Sequence, residues 1–110
     1  AAIGPISLAQ TGGNGGSWQD VKDLIPGQDY LIVARSRSSA GASNQSILWV
    51  HDTTGANQIW SVGSTPSPYG WDERRLFYRA NSTGAVRLHL ANTGGTGTLY
   101  WDDIEVVPVH

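Results

Sequence analysis

Cysteine is absent from the 110 residues, so the chain has no disulfide framework, no thiolate metal site and no cysteine nucleophile, and its redox compartment stays open. Methionine is missing as well, initiator included, which fits either a chain processed behind a small Ala or one excised from a larger protein. Lysine is nearly absent: Lys22 stands alone beside the arginines, the cations that stack and fork onto polar groups well. The balance of 7 basic and 9 acidic residues leaves a net charge of −2 and no concentrated basic face, which argues against nucleic acid as a partner. No apolar run approaches a bilayer span, and the N-terminus lacks a signal-peptide pattern. The three His are scattered, without zinc spacing such as HExxH.

Tryptophan and turn residues are what the chain has in plenty. Five Trp, 14 Gly and 5 Pro in a chain of this length point to a single β domain, residues 1–110, with many tight turns. No helical periodicity is visible. Short alternating segments near residues 3–9, 17–22, 29–37, 46–52, 57–63, 73–80, 84–91 and 97–107 read as eight strands. Between them lie "IPGQ", "SSAGAS", "TTGAN", "STPSPYG", "NSTG" and "NTGGTG", each carrying turn residues. "STPSPYG" is too rich in Pro to pair centrally and is expected to cross between sheets. "GGNGG" has neither the Lys nor the helix of a phosphate loop and reads as a mobile loop. The expected fold is all-β, a two-sheet antiparallel β-sandwich of the jelly-roll kind with about eight strands.

Alternation assigns faces. Val86, Leu88 and Leu90 turn inward, leaving Arg87 and His89 outside; Leu48 and Val50 turn inward, so Trp49 and His51 point out. Tyr30, Ile32 and Ala34 form one inner set for the third strand, with Arg35 and Arg37 outside, and the opposite phase fits nearly as well. Trp71 and Trp101 border core strands and read as structural, whereas Trp18 and Trp60 stay undecided.

The closing segment "TLYWDDIEVVPV" places Asp102 and Asp103 inside a strand, where aspartate is costly. Taking phase from Ile104 and Val106, strict alternation sends Asp102 inward and Asp103 outward with Trp101 and Glu105. Diverging neighbours cannot straddle one glycosidic bond, so they are no hydrolytic dyad. An inward Asp102 fits either a hard cation such as Ca²⁺ or an aspartate that accepts backbone N–H groups and closes a loop. No nucleophile elbow, phosphate loop or dinucleotide fingerprint occurs, and no spacing singles out a triad, so the chain is read as a non-enzyme. Trp49, His51, Arg87 and His89 remain as the candidate ligand surface: an indole stacks on the apolar face of a sugar ring while Arg and His serve its hydroxyls.

The order "SWQDVKDLIPGQDYLIVARSR", "YGWDERRLFYRA" and "GAVRLHLANTGGTGTLYWDDIEVV" resembles the jelly-roll carbohydrate-binding modules attached to bacterial xylanases and cellulases, over roughly residues 17–107. The resemblance implies a module without catalysis, a polysaccharide or surface glycan held on a concave sheet, and often a structural calcium for which Asp102 is the matching ligand. The start departs from the pattern, which usually carries one more strand and a further acidic residue beside the metal. The same fold is similar to phage capsid decoration and fibre domains. That implies the alternative of a virion component whose exposed aromatics meet capsid protein or other copies of the chain. Either way the expected setting is extracellular or on a virion surface.

Overall fold

The computed structural model describes residues 8–11, 16–62, 70–92 and 96–109. Eight strands fall there: β1 (Leu8–Thr11), β2 (Gly16–Val21), β3 (Asp29–Ser38), β4 (Ser46–His51), β5 (Ile59–Val62), β6 (Asp72–Arg79), β7 (Val86–Asn92) and β8 (Thr98–Pro108). They form two four-stranded antiparallel sheets, ordered β1-β8-β3-β6 and β2-β7-β4-β5. The strand expected at 3–9 falls mostly outside the described residues, as does nearly all of "STPSPYG" and of "GGNGG". β5 and β6 belong to different sheets.

Period-two side chains from both sheets meet in one core. Leu48, Val50, Val86, Leu88 and Leu90 come from one sheet; Tyr30, Ile32, Ala34, Leu76, Tyr78, Leu99, Trp101, Ile104 and Val106 come from the other. The third strand therefore takes the phase with Tyr30 inward. Burying a large aliphatic side chain in such a core contributes about 2 kcal/mol, which is why these positions fix the register of the strands that carry them.

The last strand departs from strict alternation. Val33 of β3 pairs with Glu105, yet Arg35, two residues on, pairs with Asp102, so β8 carries one extra residue at that point. The extra residue is Asp103, whose φ of 52° lies in the left-handed region. This is a β-bulge, and it resets the face on which side chains emerge. Trp101 and Ile104 are both buried, three positions apart, while Asp102 is half-buried and Asp103 exposed. The inward placement of Asp102 and the outward placement of Trp101 are thus corrected. The hydrophobic pattern of 104 and 106 cannot be carried backward through a bulge, because the bulge adds a residue that the facing strand lacks.

Buried polar groups tie down the loops. The Ile25 N–H donates to the Tyr30 hydroxyl at 2.9 Å, and the Tyr78 hydroxyl donates to the Ala85 carbonyl at 3.1 Å. Asp52, 2% exposed, closes the β4–β5 turn by accepting the N–H groups of Thr54 and Ala56 at 2.8 and 3.1 Å. Its carboxylate also accepts the Thr54 hydroxyl and the Asn81 amide, which brings the β6–β7 turn against the β4–β5 turn. At the opposite end Gly97, with φ of 96°, lies so close to Ala42 that a Cβ would meet the Ala42 Cβ at 2.5 Å. No larger residue fits between these loops.

Candidate functional site

Register on the β2-β7-β4-β5 sheet lines up its outward side chains in two rows across the strands. Trp18 lies opposite His89, His89 opposite Trp49, and Trp49 opposite Trp60, so one row crosses all four strands. In the neighbouring row Asp20 lies opposite Arg87 and Arg87 opposite His51. All four residues expected from the sequence to face a ligand, Trp49, His51, Arg87 and His89, therefore stand together on one face.

Their roles differ from the simple expectation. Trp49 stacks on Trp60 with ring centroids 4.4 Å apart and planes 3° from parallel, and on its other side stacks on His89 at 4.1 Å and 19°. Both faces of its indole are taken, so Trp49 has none left for a sugar ring. Its Nε1 is buried without a hydrogen-bond partner. Ring separations this close to the strand spacing mean that these rings stand on edge, perpendicular to the sheet. Aromatic surface is offered instead at the two ends of the row, by Trp18 (60% exposed) on β2 and Trp60 (52% exposed) on β5. Three strand spacings, about 14 Å, separate them. Sequence reasoning alone leaves both undecided, because β2 and β5 are short edge strands whose own pattern does not name their neighbours.

His51 is held by both ring nitrogens and is only 6% exposed. Its Nδ1 contacts the Asp52 carbonyl, which can only accept, so Nδ1 carries the proton and Nε2 offers a lone pair. The Nε2 of His89 lies 2.8 Å from the Nε2 of His51, within hydrogen-bond distance. Burial first, then the nearby His51 and Arg87, lower the His89 pKa, against an opposing pull from Asp20.

Arg87 forks onto Asp20, Nε to Oδ1 at 2.8 Å and Nη2 to Oδ2 at 3.1 Å, and its guanidinium covers the Trp18 ring at 4.3 Å. The hydrogen bond from Arg87 holds the Asp20 carboxyl below its usual range, against the opposing effect of burial, and Asp20 in turn raises Arg87. Asp20 also opens onto a cleft of about 380 Å³ whose walls include Lys22, Asp23, Thr53 and Thr83. The face thus combines two exposed indoles with a polar trough of carboxylate, ammonium and hydroxyl groups. That combination suits a ligand with apolar ring faces and a rim of hydroxyls.

Asp102 lies on the other sheet. Its Oδ1 accepts the Asp103 N–H at 2.9 Å, and Asp103 sits 3.9 Å from Arg35. Among the described residues no three His, Asp or Glu side chains gather closely enough to share a metal ion.

No family model matches the chain, and no curated protein matches it either. Solved structures do match in fold. TmCBM61 in complex with β-1,4-galactotriose superposes with a TM-score of 0.71 at 16% identity, covering 98% of this chain and 70% of that one. The C-terminal family 22 carbohydrate-binding module of Clostridium thermocellum Xyn10B gives 0.65 at 18% identity, with 93% and 72% covered. The enzymatically active domain of bacteriophage CBA120 tailspike protein 4 gives 0.66 at 11% identity, covering 96% of this chain and 15% of that one. The chain has the jelly-roll β-sandwich fold that carbohydrate-binding modules use. No helix among the described residues is long and apolar enough to cross a membrane.

Proposed function

We propose that the chain is a non-catalytic glycan-binding module, and that its glycan lies across the outer face of the β2-β7-β4-β5 sheet. The observation that carries this reading is the row ending in exposed Trp18 and Trp60 on either side of a polar centre. Sugar rings stack on the two indoles, and Asp20, the free edges of Arg87 and His89, and the cleft beyond Asp20 serve the hydroxyls between and beside them. The spacing of the two indoles suits an oligosaccharide rather than a single sugar. Neighbours in fold named for galactotriose and xylan binding support a neutral β-linked polysaccharide as the ligand, and with it an extracellular setting.

Affinity electrophoresis through gels containing xylan or β-1,4-galactan tests the reading. Retardation of the wild type is expected in at least one gel, weakened about tenfold in Trp18→Ala and Trp60→Ala while both variants stay folded by circular dichroism. Equal retardation of both variants and the wild type removes this face from the site. The likeness to a tailspike domain supports a second reading, a virion component that seats the same indoles against capsid protein or another copy of the chain. Sedimentation at rising concentration separates the two, since self-association that Trp60→Ala abolishes favours the second.

A further inference from the structure

The opposite sheet carries a second row built on a different principle. Ser36 pairs with Asp72 and Arg37 with Tyr100, which brings Trp71, just before β6, beside Arg37 on the outer face of the β1-β8-β3-β6 sheet. The Arg37 guanidinium carbon lies 5.0 Å from the Trp71 ring centroid and 5.1 Å from that of Tyr100, so the cation is clamped between two aromatic rings. Trp71 is 44% exposed and keeps open indole surface next to the clamp.

Among the described residues Arg37 makes no ion pair with a carboxylate; Arg74 makes none either, but its Nε donates to the Ser46 hydroxyl at 3.0 Å. Arg35, two residues away on the same face, pairs with Glu73 at 3.0 Å and with Asp103 at 3.9 Å; Arg79 pairs with Asp29 and Arg87 with Asp20, both at 2.8 Å. No ion pair among the described residues reaches Arg37, and its Nε is buried without a hydrogen-bond partner. All nine acidic residues of the chain lie within the described segments. A guanidinium held rigid by stacking, with donors left over and no internal counter-charge, is preorganised for an external oxyanion.

We propose that Arg37, Trp71 and Tyr100 form a second ligand site, independent of the first, which takes the carboxylate of an acidic sugar: the guanidinium binds the carboxylate and the open part of Trp71 packs against the sugar ring that bears it. A uronic acid has both features, whereas a neutral hexose lacks the first and a simple carboxylate the second.

Titration of ¹⁵N-labelled protein with sodium glucuronate, glucose and sodium acetate, following the Arg37 Nε–H and Trp71 Nε1–H resonances, tests this directly. Glucuronate is expected to shift both signals saturably, glucose neither, and acetate only at concentrations about tenfold higher. Arg37→Lys retains the charge but not the fork and is expected to bind several-fold more weakly; Arg37→Gln is expected not to bind. Dispersion of the remaining amide signals shows whether each variant is folded, so lost binding is not confused with unfolding. Equal response to acetate and glucuronate overturns the sugar assignment, and no response to glucuronate in folded wild type overturns the site. Neither outcome depends on whether the Trp18 and Trp60 face binds neutral glycan.

Discussion

The indole ring centroids of Trp49 and Trp60 lie 4.4 Å apart with their planes within 3° of parallel, and His89 closes the other side of Trp49. One ring is a pillar and the other a platform, and mutation separates the two roles. Trp60 is half exposed and shares one face, so Trp60→Ala is expected to cost only about 1 kcal/mol of stability, the scale of one aromatic contact. Trp49→Ala removes a ring packed on both sides and is expected to cost about 3 kcal/mol. Urea denaturation of the two variants checks the order, and circular dichroism adds a direct signature. The exciton signal of the coupled indoles is expected in the wild type and absent from both variants; a wild type without it contradicts the stack.

The burial of His89 beside His51 and Arg87 makes stability depend on pH in a defined direction. Burial, His51 and Arg87 lower the His89 pKa below its usual 6.5, while Asp20 opposes them. As pH falls the unfolded chain takes up this proton first, so the native state loses stability below about pH 6.5 and keeps losing it until His89 is protonated in the fold as well. Melting temperatures are expected to fall between about pH 7.5 and pH 5. In His89→Gln that slope is expected to be shallower, and an unchanged slope assigns the effect elsewhere.

Much of this arrangement is legible in the sequence where one strand is judged on its own. Val86, Leu88 and Leu90 against Arg87 and His89, and Leu48 and Val50 against Trp49 and His51, alternate cleanly because one side of each strand faces core. That alternation alone sets the four candidate ligand residues on outer faces, where the fold has them. What alternation does not contain is lateral register, and lateral register decides that Trp49 sits between two rings while Trp18 and Trp60 flank them. The tandem acids escape it for a related reason: a bulge is a property of two paired strands, and only the three-residue step from Trp101 to Ile104 hints at it.

Asp52 is the expected origin of acid sensitivity at lower pH. The Thr54 hydroxyl, opposed by burial and then reinforced by the Asn81 amide and the N–H groups of Thr54 and Ala56, brings its pKa from 3.8 down to about 2. A depressed carboxyl contributes stability above its unfolded pKa and loses it as pH falls through the folded value. The contribution, about 2 kcal/mol, is expected to be complete above about pH 5 and to disappear between about pH 4 and pH 2. Asp52→Ala is therefore expected to be markedly less stable than wild type at neutral pH and to approach it near the folded pKa of about 2. A stability gap independent of pH in this range assigns the loss to packing instead of the carboxylate.

The paired aspartates of the last strand yield the sharpest test of the bulge. Asp103 holds a φ of 52°, a conformation that costs a side chain with a Cβ about 1 kcal/mol or more and costs Gly nothing. Aspartate tolerates it better than most residues, and Asp102 helps by accepting the Asp103 N–H. Asp103→Gly is expected to match or exceed wild-type stability, because the distant Arg35 contact is exposed and worth little. Asp103→Val, by contrast, is expected to lose about 2 kcal/mol, since a β-branched residue fits the left-handed region worst. Excess chelator is expected to leave the melting temperature of the wild type unchanged, because the carboxylate of Asp102 is engaged by backbone. A fall on chelation that is absent in Asp102→Ala restores the cation reading of these acids, whereas Asp103→Val protein as stable as its parent removes the bulge.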